Sequence, residues 1–152
     1  MKLTKKGEYS LKALLALASV YEQKKVLALK DIARQENISF KFLEQIMMML
    51  KHAGFVESIM GKHGGYRLAH PPKEISLGEI IRAVEGPLAP LGTAAQIQKK
   101  IEKGESHPGL YCLLLEVRDA ISNVLDQKTL ADVCELSNEM MTSKSKSNMY
   151  YI

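Results

Sequence analysis

Apolar residues return at helical spacing over several stretches of the chain, with polar or glycine-rich breaks between them. Leu11, Leu14, Leu15, Ala18 and Tyr21 recur three and four apart, and Thr4 stands ahead of them as a hydroxyl cap. That pattern predicts a first helix from Thr4 to about Glu22. Leu29, Ile32 and Ala33 share one side of a short second helix over residues 29–35. The polar break Glu36-Asn37-Ile38-Ser39 follows, with Ile38 as the apolar plug of the turn. Ser39 is placed to cap a third helix that ends near Ala53, where Gly54 stops it. The inward set of that helix is Phe42, Leu43, Ile46, Met47 and Leu50.

The period then changes. "FVESIM" (residues 55–60) alternates and carries β-branched residues, and "YRLA" (66–69) reads as a returning strand. Between them lies "GKHGG". Such a glycine-rich basic tip fits either a phosphate-cradling loop or a hairpin tip. The phosphate loop needs a lysine followed by a hydroxyl that opens a helix, whereas here a strand follows. The hairpin is therefore preferred, with Gly64 and Gly65 expected to supply positive φ at the turn. Two short helices joined by a tight turn, the second capped by serine, have helix-turn-helix spacing, and a hairpin directly after them makes a winged helix. The outward face of the third helix carries Ser39, Lys41, Glu44, Gln45, Met48 and Lys51, types that meet base edges and phosphates. The same pattern also describes an ordinary solvated helix face. Lys62 and His63 at the hairpin tip are the cations available to a phosphate backbone or a minor groove.

Further along, Ser76 and Glu79 form a capping-box pair ahead of Ile80, Ile81 and Val84. Residues 86–108 read as a polar connection, in which "QIQKKIEKGE" forms a short helical piece or stays a mobile loop. Residues 109–127 carry a long apolar stripe: Leu110, Leu113, Leu114, Val117, Ala120, Ile121, Val124 and Leu125. A small winged domain has little face to cover such a stripe, so a partner helix related by two-fold symmetry is expected, with Leu110, Leu113, Leu114, Val117, Ile121 and Val124 at the dimer interface. Thr129 and Asp132 begin a last short helix, and the Ser/Lys-rich tail is expected to be flexible in its middle. The expected organisation is a DNA-binding domain over 1–86, a connecting loop over 87–108, dimerisation helices over 109–136 and a flexible tail over 137–152. The fold class is mainly α with a β-hairpin wing.

Charge is unevenly distributed along the chain. The 152 residues have a formal net charge of +4. Up to Gly86 there are 14 Lys/Arg against 9 Asp/Glu, a balance of +5; from Pro87 onward there are 7 against 8, a balance of −1. The basic excess lies with the winged part and suits an anionic partner such as nucleic acid, although a solvated surface gives the same count. No apolar run is long enough for a membrane span, and Glu8 and Lys12 interrupt any signal-peptide core. Two cysteines, Cys112 and Cys134, make no disulfide framework, so a bacterial, cytoplasmic protein with reduced thiols is expected. No catalytic constellation is placed by any motif, and no enzyme is expected.

The residues carry a resemblance. "FLEQ" (42–45), "SIMGKHGGYRL" (58–68), "EIIRAVEGP" (79–87), the opening "MKLTKKGEYSLKALLALA" and "DAISNVLDQKTLADV" (119–133) resemble the Rrf-type winged-helix transcription regulators over almost the whole chain. The resemblance implies a homodimer on a palindromic operator in double-stranded DNA. It implies Glu44 and Gln45 as the recognition pair, Lys2, Thr4, Lys5 and Tyr9 as N-terminal phosphate contacts, and Gly61, Gly64, Gly65 and Tyr66 as the wing. The chain departs from the family at Met60, where an arginine usually precedes the first wing glycine. A minor-groove cation must then come from Lys62 or His63. Cluster-binding members carry three cysteines in the connection before the long helix, as soft anionic donors for iron. Here that connection has none, and Cys112 falls just inside the helix. No cofactor and no metal site are therefore expected, with a thiol- or iron–sulfur-dependent redox sensor using Cys112 as an alternative and Cys134 packing as a small apolar residue. The terminal "NMYYI" resembles the cluster-free cysteine-metabolism repressors of the family, whose partner is cysteine synthase. Capture of the tail by such an enzyme, or folding of the tail back onto its own dimer, are both open.

Overall fold

A computed structural model describes residues 2–88 and 92–150. Thr4 opens α1 (Lys5–Ser19), its hydroxyl accepting from the Gly7 amide at 3.1 Å. The helix ends three residues before the expected Glu22. The amides of Val20 and Tyr21 bond only three residues back, to Leu17 and Ala18, and Lys24 at φ 53° closes the turn in the left-handed region. α2 (Leu29–Glu36) leads into Asn37, which takes φ 54°. The Ile38 amide there donates to the Ala33 carbonyl at 2.9 Å, and the Ile38 side chain is buried. The sequence break is thus a left-handed turn plugged by an isoleucine. Ser39 accepts from the Phe42 amide and starts α3 (Phe40–His52), and Gly54 at φ 83° follows its end.

The hairpin is present as β1 (Val56–Ile59) and β2 (Gly65–Leu68), antiparallel, with Val56 opposite Leu68 and Ile59 opposite Gly65. The expected pair of positive-φ glycines is corrected. Gly61 (φ 111°) and Gly65 (φ 155°) take positive φ, whereas Gly64 does not. Gly64 is needed for space instead, because a Cβ there would overlap the Ile59 carbonyl oxygen. Tyr66 also pairs with Leu27, in the connection between α1 and α2.

A 3-10 turn (Pro72–Glu74) precedes α4 (Leu77–Glu85), and the Ser76–Glu79 capping box is complete. The stretch expected to be a connecting loop contains α5 (Ala94–Glu102). Thr93 and Gln96 cap it reciprocally and Ile97 is fully buried, which is enough to hold nine residues helical. α6 (Pro108–Gln127) corresponds to the long striped helix. The last helix, α7 (Leu130–Tyr150), is not short. Thr129 and Asp132 cap it, and the 137–150 stretch expected to be flexible contains neither glycine nor proline to stop it. The tail's last two residues, Tyr151 and Ile152, lie outside the described residues.

One core joins α1 to α4, the hairpin and the first residue of α7. Leu14 and Leu17 of α1, Ile32 of α2, Leu43, Ile46, Met47 and Leu50 of α3, Val56 and Leu68 of the hairpin, and Ile80 of α4 are buried together. Leu130 of α7 belongs to the same cluster. Backbone bonds from Leu77 to Lys128 (2.8 Å) and from Leu130 to Ile75 (3.0 Å) stitch the α6–α7 corner to the entry of α4. Leu130 is thus the residue beyond 86 that joins this core, whereas Ile97 of α5 is buried outside it.

Candidate nucleic-acid interface

α3 divides cleanly into two faces. Leu43, Ile46, Met47 and Leu50 are buried, while Ser39, Lys41, Glu44, Gln45, Met48 and Lys51 are exposed. The apolar face is spent on the core, so the polar face is left free for a partner. Phe42, expected inward, is only half-buried because it lies at the edge, where its ring meets Tyr9 of α1 edge-on at 5.8 Å between centroids and 72° between planes. Phe40, at the first position of α3, is exposed and was not singled out by the sequence pattern.

The Tyr9–Phe42 contact brings the N-terminal basic segment to the start of α3. The ammonium groups of Lys5 and Lys12 lie 5.6 and 5.9 Å from the Tyr9 ring centroid. Both also pair with Glu8, at 3.2 and 3.3 Å. The hydrogen bond to Glu8 raises the Lys5 pKa, and the same bond is the first reason the Glu8 carboxyl sits below its usual range. Lys2 is exposed just ahead of this cluster. Thr4 needs a correction. Its amide and its hydroxyl both donate to Glu85 Oε1, at 2.9 and 2.5 Å, while its oxygen accepts from Gly7. A phosphate requires a donor, and Thr4 has none left as folded. Glu85, missed by the sequence reading, is the group that fastens the start of α1 to the end of α4. No local spacing connects positions 4 and 85. Gly7 permits the approach, since a Cβ there would overlap the Glu85 carboxylate.

Across α3, Lys51 Nζ donates to Ser58 Oγ of β1 at 2.8 Å, so the end of the helix is joined to the stem of the hairpin. Arg67 and Glu57 pair across the two strands at 3.0 Å. Arg67 is thereby already engaged, whereas Lys62 and His63 stand exposed at the tip. Tyr66 is half-buried and packs against the core margin. The structure thus brings together three basic features: the α1 start, the outer face of α3 and the hairpin.

Away from this surface, the α6 stripe is largely uncovered within one chain. Leu110, Leu113, Val117 and Val124 are exposed, at 52, 57, 45 and 61 %, while Leu114 and Ile121 are half-buried. α6 is held to α4 by a two-pronged ion pair, Arg82 to Asp126 at 2.6 and 2.9 Å. Cys112 is exposed on α6; Cys134 on α7 is half-buried, and burial pushes its thiol pKa up. None of the helices among the described residues is long and apolar enough to cross a membrane.

The winged-helix geometry has counterparts among known proteins. The Rrf2 family model, described as an iron-dependent transcriptional regulator, matches residues 3–136. The HTH-type transcriptional regulator CymR of Bacillus subtilis is 34% identical over 152 residues, covering all of both chains. A B. subtilis structure described as CymR (YrzC), the global cysteine regulator, superposes with a TM-score of 0.76 at 35% identity, over 90% of this chain and 98% of that one. The IscR structure of T. potens gives 0.69 at 33% identity, over 92% and 90%. The chain belongs to the Rrf2 family of winged-helix transcriptional regulators, and it is a regulator rather than an enzyme.

The family description raises iron. An iron–sulfur cluster takes thiolate ligands, usually four. This chain has two cysteines in all, on different helices, and no group of three or more His, Cys, Asp or Glu side chains among the described residues could hold a metal ion. The donor set of one chain does not fit a cluster.

Proposed function

We propose that the protein is a homodimeric repressor that binds palindromic double-stranded DNA in the cytoplasm. In this reading α3 enters the major groove. Glu44 and Gln45 read base edges, and Ser39, Lys41 and Lys51 contact the backbone around them. Lys2, Lys5 and Tyr9 reach the phosphates on one flank. The hairpin lies along the other flank at the minor groove, with Lys62 and His63 as its cations and Gly64, Gly65 and Tyr66 fixing its shape. The observation that carries this reading is the free polar face of α3 beside a basic hairpin tip, the two tied by Lys51 and Ser58. Selection of duplexes from a randomised pool tests it. A two-fold symmetric consensus is expected, with affinity that falls steeply as salt rises. Binding without sequence preference would contradict it.

The dimer is assigned to α6, whose stripe Leu110, Leu113, Leu114, Val117, Ile121 and Val124 pairs with its copy. The exposure of four of these residues in one chain supports that assignment. The signal is read without an iron–sulfur cluster, in keeping with the two-cysteine inventory and with the similarity to CymR, described as a global cysteine regulator. A second reading rests on Cys112, exposed on α6 beside Leu113: its oxidation would act on the dimer helix directly. Control by a partner enzyme such as cysteine synthase, through the C-terminal residues, is a separate alternative to oxidation of Cys112.

A further inference from the structure

We infer that Met48 is a base-reading residue that recognises the 5-methyl groups of thymines in each half-site. The inference rests on the placement of α3 in the major groove. Three methionines follow one another in α3, and they diverge. Met47 is fully buried, Met49 packs at the core margin, and Met48 is 62 % exposed. Met48 belongs neither to the core nor to its half-buried edge. At roughly 100° per residue, it lies about 60° from Gln45 and about 40° from Glu44 around the helix axis. It therefore occupies the middle of the proposed reading arc. Phe40, the other exposed apolar residue of α3, lies about 140° from Gln45 at the same rotation per residue and is on the rim.

Glutamate and glutamine on this face offer hydrogen bonds, and the lysines at 41 and 51 offer charge. Met48 offers neither, so it has nothing to give a phosphate or an N–H/O edge. The apolar group that a base edge presents in the major groove is the thymine methyl. A thioether side chain is unbranched and adaptable, and it can close over a methyl without steric precision. The basic neighbours Lys41 and Lys51 make nucleic acid, rather than an apolar protein, the occupant of this face.

The test uses full-length protein and the duplex that the wild type selects from a randomised pool. Deoxyuridine replaces thymidine one position at a time, which deletes only the methyl. Wild-type binding should weaken by about fourfold for each contacted methyl, the effect of exposing one methylene-sized group. Met48→Ala, at an exposed site, should fold normally and bind the thymidine and deoxyuridine duplexes equally. A penalty that persists undiminished in Met48→Ala would overturn the assignment, as would a wild type indifferent to every replacement. The underlying reading is checked separately by Gln45→Ala on the same duplexes. If Gln45→Ala loses selectivity while deoxyuridine has no effect, only the role of Met48 falls. If neither change affects binding, α3 is not in the groove and both readings fall.

Discussion

Leu27 and Tyr66 exchange both of their backbone hydrogen bonds, Leu27 N to Tyr66 O at 3.0 Å and Tyr66 N to Leu27 O at 2.8 Å. The connection between α1 and α2 thus acts as a third strand beside the hairpin. It fixes the hairpin relative to the helix-turn-helix from the side opposite the Lys51–Ser58 contact. A wing held at two points can present its tip at a set distance from α3.

Gly65 is where this arrangement is most fragile. Its φ is 155°, and a Cβ there would overlap the Leu27 carbonyl oxygen. Gly65→Val is expected to push β2 away from Leu27, at a cost of about 1–3 kcal/mol of local strain. DNA affinity should drop at least tenfold while circular dichroism shows unchanged helix content. Unaltered affinity would mean that the hairpin takes no part in binding.

The two kinds of contact on α3 should separate by their selectivity. Gln45→Ala should cost about 1–3 kcal/mol and relax preference at one operator position per half-site. Lys51→Ala should weaken all sequences alike and reduce the slope of log affinity against log salt by about one unit. It should also loosen the hairpin stem, since Lys51 donates to Ser58. Competition binding against single-base operator variants distinguishes the two outcomes.

Val117→Glu probes α6. Val117 is exposed in one chain, so a glutamate there is tolerated by the isolated subunit. Across a pairing helix it would be a buried charge without a partner, costing several kcal/mol. Sedimentation should show monomers, and operator affinity should fall steeply because one half-site binds alone. A dimer that survives this change must be held elsewhere.

The Thr4–Glu85 latch gives a pH signature. The Thr4 hydroxyl bond, more than any other cause, holds the Glu85 carboxyl below its ordinary value, which for glutamate is about 4.3. A carboxyl lowered in the folded state contributes stability above its ordinary value and loses it as pH falls through the lowered one. Glu85→Gln should therefore reduce Tm slightly at pH 7, and its Tm should fall less than that of wild type between about pH 5 and 3. Parallel Tm curves for the two proteins would show that the latch does not contribute.

Much of the fold was legible because the deciding signals are local. Thr4, Ser39 and the Ser76–Glu79 pair cap the helices where their spacing places them, and Gly54 follows α3. The outer face of α3 followed from period alone, since its inner positions are apolar without exception. What was not legible was long-range or permissive. Glu85 meets Thr4 only because the fold brings the ends of α1 and α4 together. Gly64 is needed for space against the Ile59 carbonyl, which no turn rule encodes. The length of α7 reflects the lack of any breaker after its cap, and polar composition was a poor guide to that. α5 was ambiguous because a single buried isoleucine decides it.

In the proposed complex a dimer reads two half-sites with α3 in the groove of each. Hydroxyl-radical footprinting of the purified protein on its selected duplex reads out that arrangement. Two protected segments are expected, related by two-fold symmetry and separated by a multiple of about 10–10.5 base pairs, the repeat of the duplex. A single protected patch, or uniform protection along the duplex, would contradict it.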